Sequence, residues 1–181
     1  MDNLVLVGFS CSGKTTLGRN LARRLRLQFV DTDRLIEEIA GKSIPDIFAA
    51  EGEAAFRAYE REAIARAMSQ THQVVSTGGG AFVDPENRQR LRDGNLVIHL
   101  QVQPETVFYR LRNSKSGRPR PMLDAPDPLR RIRELMAERR EAYNLAHVTI
   151  GVDNRSRYEL VAELTRRWFA WRRSRRQATA S

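Results

Sequence analysis

The chain has 181 residues, of which 41% are hydrophobic and 29% charged, enough apolar residue for one core and too much for a disordered tail. No apolar run approaches the ~18 residues that would cross a bilayer, and the single cysteine, Cys11, excludes an internal disulfide. The net charge of +9 is uneven: six arginines and no acid follow Thr165, so residues 1–165 hold 25 basic against 22 acidic residues, a net +3.

In chain order, Leu4 to Val7 is a short apolar run that reads as a strand buried on both faces, not as a signal peptide. Leu17, Leu21 and Leu25 recur at helical spacing, which predicts a helix from Lys14 to about Leu25. Phe29-Val30 is a second strand, ending in Asp31-Thr32-Asp33. Leu35, Ile36 and Ile39 make a helical stripe stopped by Gly41. Ile44 to Gln70 reads as helix, with Pro45 near its start and a break at Gly52. A strand over Val74–Thr77 runs into Gly78-Gly79-Gly80. Pro85 to Arg92 is a short helix, Leu96 to Val102 a strand, and Pro104 opens another helix. Asn113 to Pro128 is rich in proline and polar residues and reads as a loop of functional length. A helix from Leu129 to about Asn144, a fifth strand over His147–Val152 and a last helix over Tyr158–Trp171 complete the chain. The basic segment 172–181 is expected to be disordered.

Strands alternating with helices predict an α/β fold: a five-stranded parallel sheet flanked by helices, in one domain spanning 1–171. Such sheets bind ligands beyond the carboxyl ends of their strands, where three motifs fall. Residues 8–15, GFSCSGKT, match G-x-x-x-x-G-K-[ST] between a strand and a helix, the setting of a phosphate-binding P-loop. Its glycines let backbone N–H groups curl around phosphate oxygens. Lys14 reaches the β and γ phosphates, and Thr15 offers a hydroxyl to Mg²⁺. The chain is short for a motor or helicase, and the Asn-Lys-x-Asp guanine reader is absent. A small-molecule kinase remains.

Asp31 and Asp33, two apart at a strand end, suit one carboxylate for the metal through water and one for an acceptor hydroxyl, although Asp33 also suits a helix N-cap. Arg57 is placed either to meet an anionic substrate or to pair with Glu53 or Glu60 along its helix. Thr77-Gly78-Gly79-Gly80 allows close approach by another group, or is a plain connector. His72, His99 and His147 show no metal-ligand spacing and are assigned structural roles. Trp168 and Trp171 are assigned to core or rim.

Together GFSCSGKTT (8–16), FVDTD (29–33), GEAAFRAYE (52–60), STGGG (76–80), RPML (120–123) and LMAERREAY (135–143) resemble the shikimate kinase family, in order and over most of the chain. The resemblance implies a P-loop kinase fold with a mobile lid at about 113–124. It implies transfer of the γ-phosphate of ATP to the 3-hydroxyl of shikimate, in the cytoplasmic supply of aromatic amino acids. It implies Mg²⁺ as cofactor, shikimate and ATP as the only partners, no nucleic acid or membrane, and a monomer. By the same resemblance, Cys11, Ser12, Gly13, Lys14, Thr15 and Thr16 hold the nucleotide phosphates. Thr15 and Asp31 hold the metal, and Asp33 is the base on the acceptor hydroxyls. Arg57 and Arg139 clamp the substrate carboxylate beside Gly79 and Gly80, Arg120 is the lid arginine, and Arg112 and Arg155 flank the adenine. Arg139 and Arg140 are adjacent, and the spacing to Tyr143 favours Arg139. The family often has glycine at the position of Cys11 and serine at that of Thr15. A gluconate or nucleoside monophosphate kinase is the nearest alternative. A nucleic-acid-binding NTPase, suggested by the basic tail, is the second.

Overall fold

A computed structural model describes residues 2–113 and 126–180. Five strands, β1 (Leu4–Val7), β2 (Gln28–Asp31), β3 (Gln73–Ser76), β4 (Leu96–Gln101) and β5 (Val148–Gly151), form one sheet in the order β2-β3-β1-β4-β5. Every pairing is parallel, and β1 lies at the centre, with Leu4 opposite Val74 on one side and Leu96 on the other.

Helices α1 (Lys14–Leu25), α2 (Thr32–Ala40), α3 (Ile44–Met68), α4 (Pro85–Arg92), α5 (Pro104–Arg112), α6 (Pro128–Asn144) and α7 (Arg157–Ala180) cover the sheet. The period of two along β1 divides the core. Leu4 and Leu6 face Leu17 and Leu21 of α1, Ile132 of α6 and Leu164 of α7. Val5 and Val7 face Ile64 and Met68 of α3, Leu91 of α4 and Tyr143 of α6. All four β1 residues have no exposed surface, which is why the strand reads as an unbroken apolar run. Ile36, Ile47, Phe56 and Ala63 form a separate cluster between α2 and α3.

The expected elements and the observed ones agree within a few residues, with two differences. The break expected at Gly52 is a kink: the residue has φ 79° and ψ −177° while helix continues on both sides. The last helix continues through the basic segment expected to be disordered. That segment lacks glycine and proline and holds four arginines and two alanines among its ten residues, which favour helix. Arg172 pairs with Asp2 at 3.7 Å, and Arg175 lies 5.2 Å from the Trp171 ring centroid. Trp168 is buried, on the core side of the core-or-rim assignment. Ser156 and Glu159 cap α7 reciprocally, with the Ser156 N–H donating to Glu159 (2.8 Å) and the Glu159 N–H to Ser156 (3.2 Å). The expected lid beyond Asn113, with Arg120, lies outside the described residues.

Candidate active site

The carboxyl ends of β1, β2 and β3 meet at one place. β1 leads into the loop from Gly8 to Gly13. A Cβ on Gly8 (φ 141°) would stand 2.6 Å from the Leu100 carbonyl oxygen of β4, so the loop leaves the sheet through a gap only glycine fits. Gly13 adopts φ 95° as the N-cap of α1 and brings no side chain to that helix start. Cys11 is held at φ 61°, the left-handed region, which accounts for the glycine common there in the resembling family. Lys14 is buried, and its ammonium donates to the carbonyls of Gly8 and Phe9, both at 2.8 Å, and to Ser12 Oγ at 3.5 Å. Thr16 is exposed in the first turn of α1, beside Thr15.

β2 ends at Asp31, which serves two partners. Its Oδ1 accepts from the Asp33 N–H at 3.1 Å, and its Oδ2 accepts from the Thr15 hydroxyl at 2.9 Å. The N-cap of α2 is therefore Asp31, not Asp33. That resolves the alternative for Asp33: its carboxylate is not used on the helix start and turns toward β3.

Past β3, the three glycines are close approaches. A Cβ on Gly78 would lie 2.8 Å from Asp33 Oδ1 and 3.1 Å from Glu60 Oε1. On Gly79 it would lie 3.1 Å from Ser10 Oγ and 3.6 Å from Arg139 Nη1, and on Gly80 it would lie 2.8 Å from Arg57 Nη1. At each of the three positions a side chain would have to displace one of these groups, so the turn is packed against the site rather than a plain connector. Its Gly78 N–H donates to the buried Thr32 hydroxyl at 3.0 Å, tying it to the Asp31–Asp33 segment.

Two guanidinium groups thus converge on one turn. Arg57 donates to Glu60 Oε2 at 2.7 Å and to Glu53 at 3.0 Å, so its helix-pairing role and its place at the turn are both real. Glu60 is only 1% exposed; burial pushes its carboxyl pKa up, and the Arg57 guanidinium pulls it back down. Arg139 is buried, donates to the Gly79 carbonyl at 3.1 Å and lies 5.3 Å from the Phe9 ring centroid, while its neighbour Arg140 is exposed. Between these two arginines, Arg139 is the one at the site.

Of the expected adenine-side residues, Arg112 is exposed at the end of α5, 5.7 Å from the Phe108 ring centroid. Arg155 is seated on α7, donating to Glu163 at 2.6 Å. Among the described residues neither hydrogen-bonds to the phosphate loop. Arg110 does, donating to the Cys11 carbonyl at 2.8 Å. Sequence reasoning misses Arg110 and Ser10, uses Tyr143 only to choose between Arg139 and Arg140, and gives His99 a structural role alone. Arg110 and Ser10 carry no local signal. Tyr143 did carry one, since it stands four residues after Arg139 and so shares its helix face.

Among the described residues no three histidines, cysteines or carboxylates cluster as a metal cage. A hydroxyl and a carboxylate side by side, Thr15 and Asp31, fit Mg²⁺, which keeps several waters and shares its coordination with substrate phosphates.

Residues 10–168 match the model of the shikimate kinase family. The chain is 52% identical to the shikimate kinase of Symbiobacterium thermophilum, over 90% of this chain and 93% of that one. It is 45% identical to the shikimate kinase of Deinococcus radiodurans, over 93% of this chain and 84% of that one. Among solved structures, the shikimate kinase of Acinetobacter baumannii in complex with shikimate superposes with a TM-score of 0.86 at 34% identity, covering 93% of each chain.

Proposed function

The chain belongs to the shikimate kinase family and is an ATP-dependent phosphotransferase, and we propose that it moves the γ-phosphate of ATP to the 3-hydroxyl of shikimate through the residues gathered at the Gly78–Gly80 turn. The observation that carries the residue assignment is the convergence itself: Asp33, Arg139 and Arg57 stand in turn against Gly78, Gly79 and Gly80. With Glu60 paired to Arg57, the Asp33 carboxylate and two guanidiniums on one small surface match an acceptor that has a carboxylate at one end and vicinal hydroxyls at the other.

Arg57 and Arg139 bind the substrate carboxylate. Arginine presents a planar fork of N–H donors that a lysine lacks, and the two forks approach from separate helices, so they fix orientation as well as charge. Asp33 accepts a hydrogen bond from the acceptor hydroxyl, orients it toward the phosphate and takes its proton as transfer proceeds. The backbone of Gly79 and Gly80 forms the floor of the acid's binding place.

On the other side, Cys11, Ser12, Gly13, Lys14, Thr15 and Thr16 hold the nucleotide phosphates with backbone N–H groups and the positive end of α1. The Lys14 ammonium, seated on the loop carbonyls, exchanges them for phosphate oxygens. Thr15 and Asp31 would hold Mg²⁺, which would supply positive charge against the nucleotide phosphates. Arg120, outside the described residues, adds a further positive charge, and Arg112 and Arg155 are assigned to the adenine side.

A coupled assay of ADP release with shikimate, gluconate and AMP tests the reading. It predicts turnover with shikimate alone, and turnover lost by about 10³-fold or more in Lys14→Met. ADP release with gluconate or AMP and none with shikimate would overturn it.

A further inference from the structure

We propose that Tyr143 is a positioning residue for the acid-binding arginine: its hydroxyl fixes the Gly79 carbonyl that Arg139 also binds, and with that carbonyl it holds the Arg139 guanidinium in place. The inference rests on the carboxylate-binding role assigned to Arg139 above.

The geometry is a shared acceptor. Gly79 O receives the Arg139 Nη1–H at 3.1 Å and also the Tyr143 hydroxyl. A carbonyl oxygen has two lone pairs, and here the two donors come from one helix, four residues apart. α6 therefore grips the glycine turn at two points. The turn is already tied at the Gly78 N–H to Thr32, so what the second contact adds is the direction of the Gly79 carbonyl relative to the helix. Gly79 needs such a restraint, because the turn carries no side chain of its own to pack.

Tyr143 is itself held in place. It is 4% exposed, and its ring stacks on His99 of β4 with 4.6 Å between centroids and 16° between planes. The Cδ2 of His99 would lie 3.4 Å from a Cβ on Gly8, the first residue of the phosphate loop. The stack thus places the tyrosine between the loop that binds ATP and the turn that binds the acid. Burial pushes the phenol pKa up to about 12, against the pull of the Arg139 guanidinium that also hydrogen-bonds to it directly, so the hydroxyl remains a donor across any working pH.

Freed from Tyr143, the Gly79 carbonyl would no longer hold Arg139 in one direction. The guanidinium would then lose part of its alignment with an incoming carboxylate, and alignment is what a bidentate contact requires. The effect belongs to binding of the acid and not to phosphoryl transfer or ATP binding.

Steady-state kinetics of Tyr143→Phe test this. The substitution keeps the ring and its stack and removes one oxygen. The expected result is a shikimate KM raised about five- to tenfold, with kcat and the ATP KM within about twofold of wild type. Partial unfolding would do the reverse, lowering kcat with the shikimate KM unchanged. An unchanged shikimate KM in Tyr143→Phe, while Arg139→Ala raises it, overturns the role of Tyr143 and leaves the role of Arg139 standing. An Arg139→Ala variant with unaltered shikimate KM overturns the underlying reading instead. A second measurement uses the pair Tyr143→Phe and Arg139→Lys. If the tyrosine acts through the arginine, the combined effect on KM is smaller than the product of the single effects. A full product means independent action and also overturns the proposal.

Discussion

The Thr15 hydroxyl donates to Asp31 Oδ2 at 2.9 Å, so the last residue of β2 and the first turn of α1 share a hydrogen bond across two separate strand ends. Asp31 is further fixed by its cap on α2 through the Asp33 N–H. The two oxygen groups assigned to the metal are therefore already side by side and oriented. Asp31→Asn keeps the shape and removes the charge. It is expected to raise the Mg²⁺ concentration for half-maximal rate by about tenfold or more, whereas Thr15→Ser leaves it within about twofold. Titrating Mg²⁺ into the EDTA-treated variants measures this. A Thr15→Ser effect larger than that of Asp31→Asn would contradict the assignment.

Gly80 predicts a steric effect with a defined victim. A Cβ there would stand 2.8 Å from Arg57 Nη1 and 3.4 Å from its Cζ. The obstacle is the end of a long side chain, so Gly80→Ala should move the arginine rather than unfold the turn. The shikimate KM is expected to rise about tenfold or more, with the ATP KM unchanged and the melting temperature within a few degrees of wild type. Steady-state kinetics and a thermal melt read both.

Glu60 sets the direction of Arg57 from the buried side. Its Oε2 takes the arginine at 2.7 Å, and its Oε1 is buried with no hydrogen-bond partner among the described residues. Glu60→Gln retains the volume and loses the charge that holds the guanidinium. The expected outcome is a several-fold rise in the shikimate KM, with little change in kcat. Equal rises in both substrates' KM values would place the effect in the fold rather than in the acid site.

His99 gives the protein a pH signature. Burial first, and then the nearby Lys14 ammonium, lower its pKa from 6.5 to about 4. Between those values the unfolded chain binds the extra proton and the folded one does not, so stability falls as pH drops through that window. The contribution is at most about 3 kcal/mol. Burial of Glu60 acts with the opposite sign just above its ordinary pKa, but it is common to wild type and variant. Thermal melts of wild type and His99→Phe isolate the histidine. From pH 7 to pH 5 the wild type should lose about 5 °C more than the variant. Parallel curves would mean that the imidazole titrates normally.

Much of this was legible in the chain because it is local. β1 shows its burial as four apolar residues in a row, Gly41 and Gly52 mark an end and a kink, and Gly8 to Thr15 spells its own turn. The glycines at 78–80 announce a close approach but not what approaches: Asp33, Arg139 and Arg57 come from three different helices. The Arg110 contact with Cys11 joins residues 99 apart, and no pattern along the sequence marks it. The cap on α2 shows the same limit at short range. Asp31 and Asp33 are both good caps by type, and only the backbone at the end of β2 decides between them. The contact of Arg172 on α7 with Asp2 joins the two ends of the chain and is likewise unmarked in the sequence.

The central claim, that two guanidiniums grip the carboxylate of the acceptor, is tested most directly by comparing shikimate with its methyl ester. The account predicts that wild type prefers the acid by about 100-fold or more in kcat/KM, and that the Arg57→Ala/Arg139→Ala double variant discriminates by less than about fivefold. Equal use of acid and ester by wild type, or full discrimination surviving in the double variant, would contradict it.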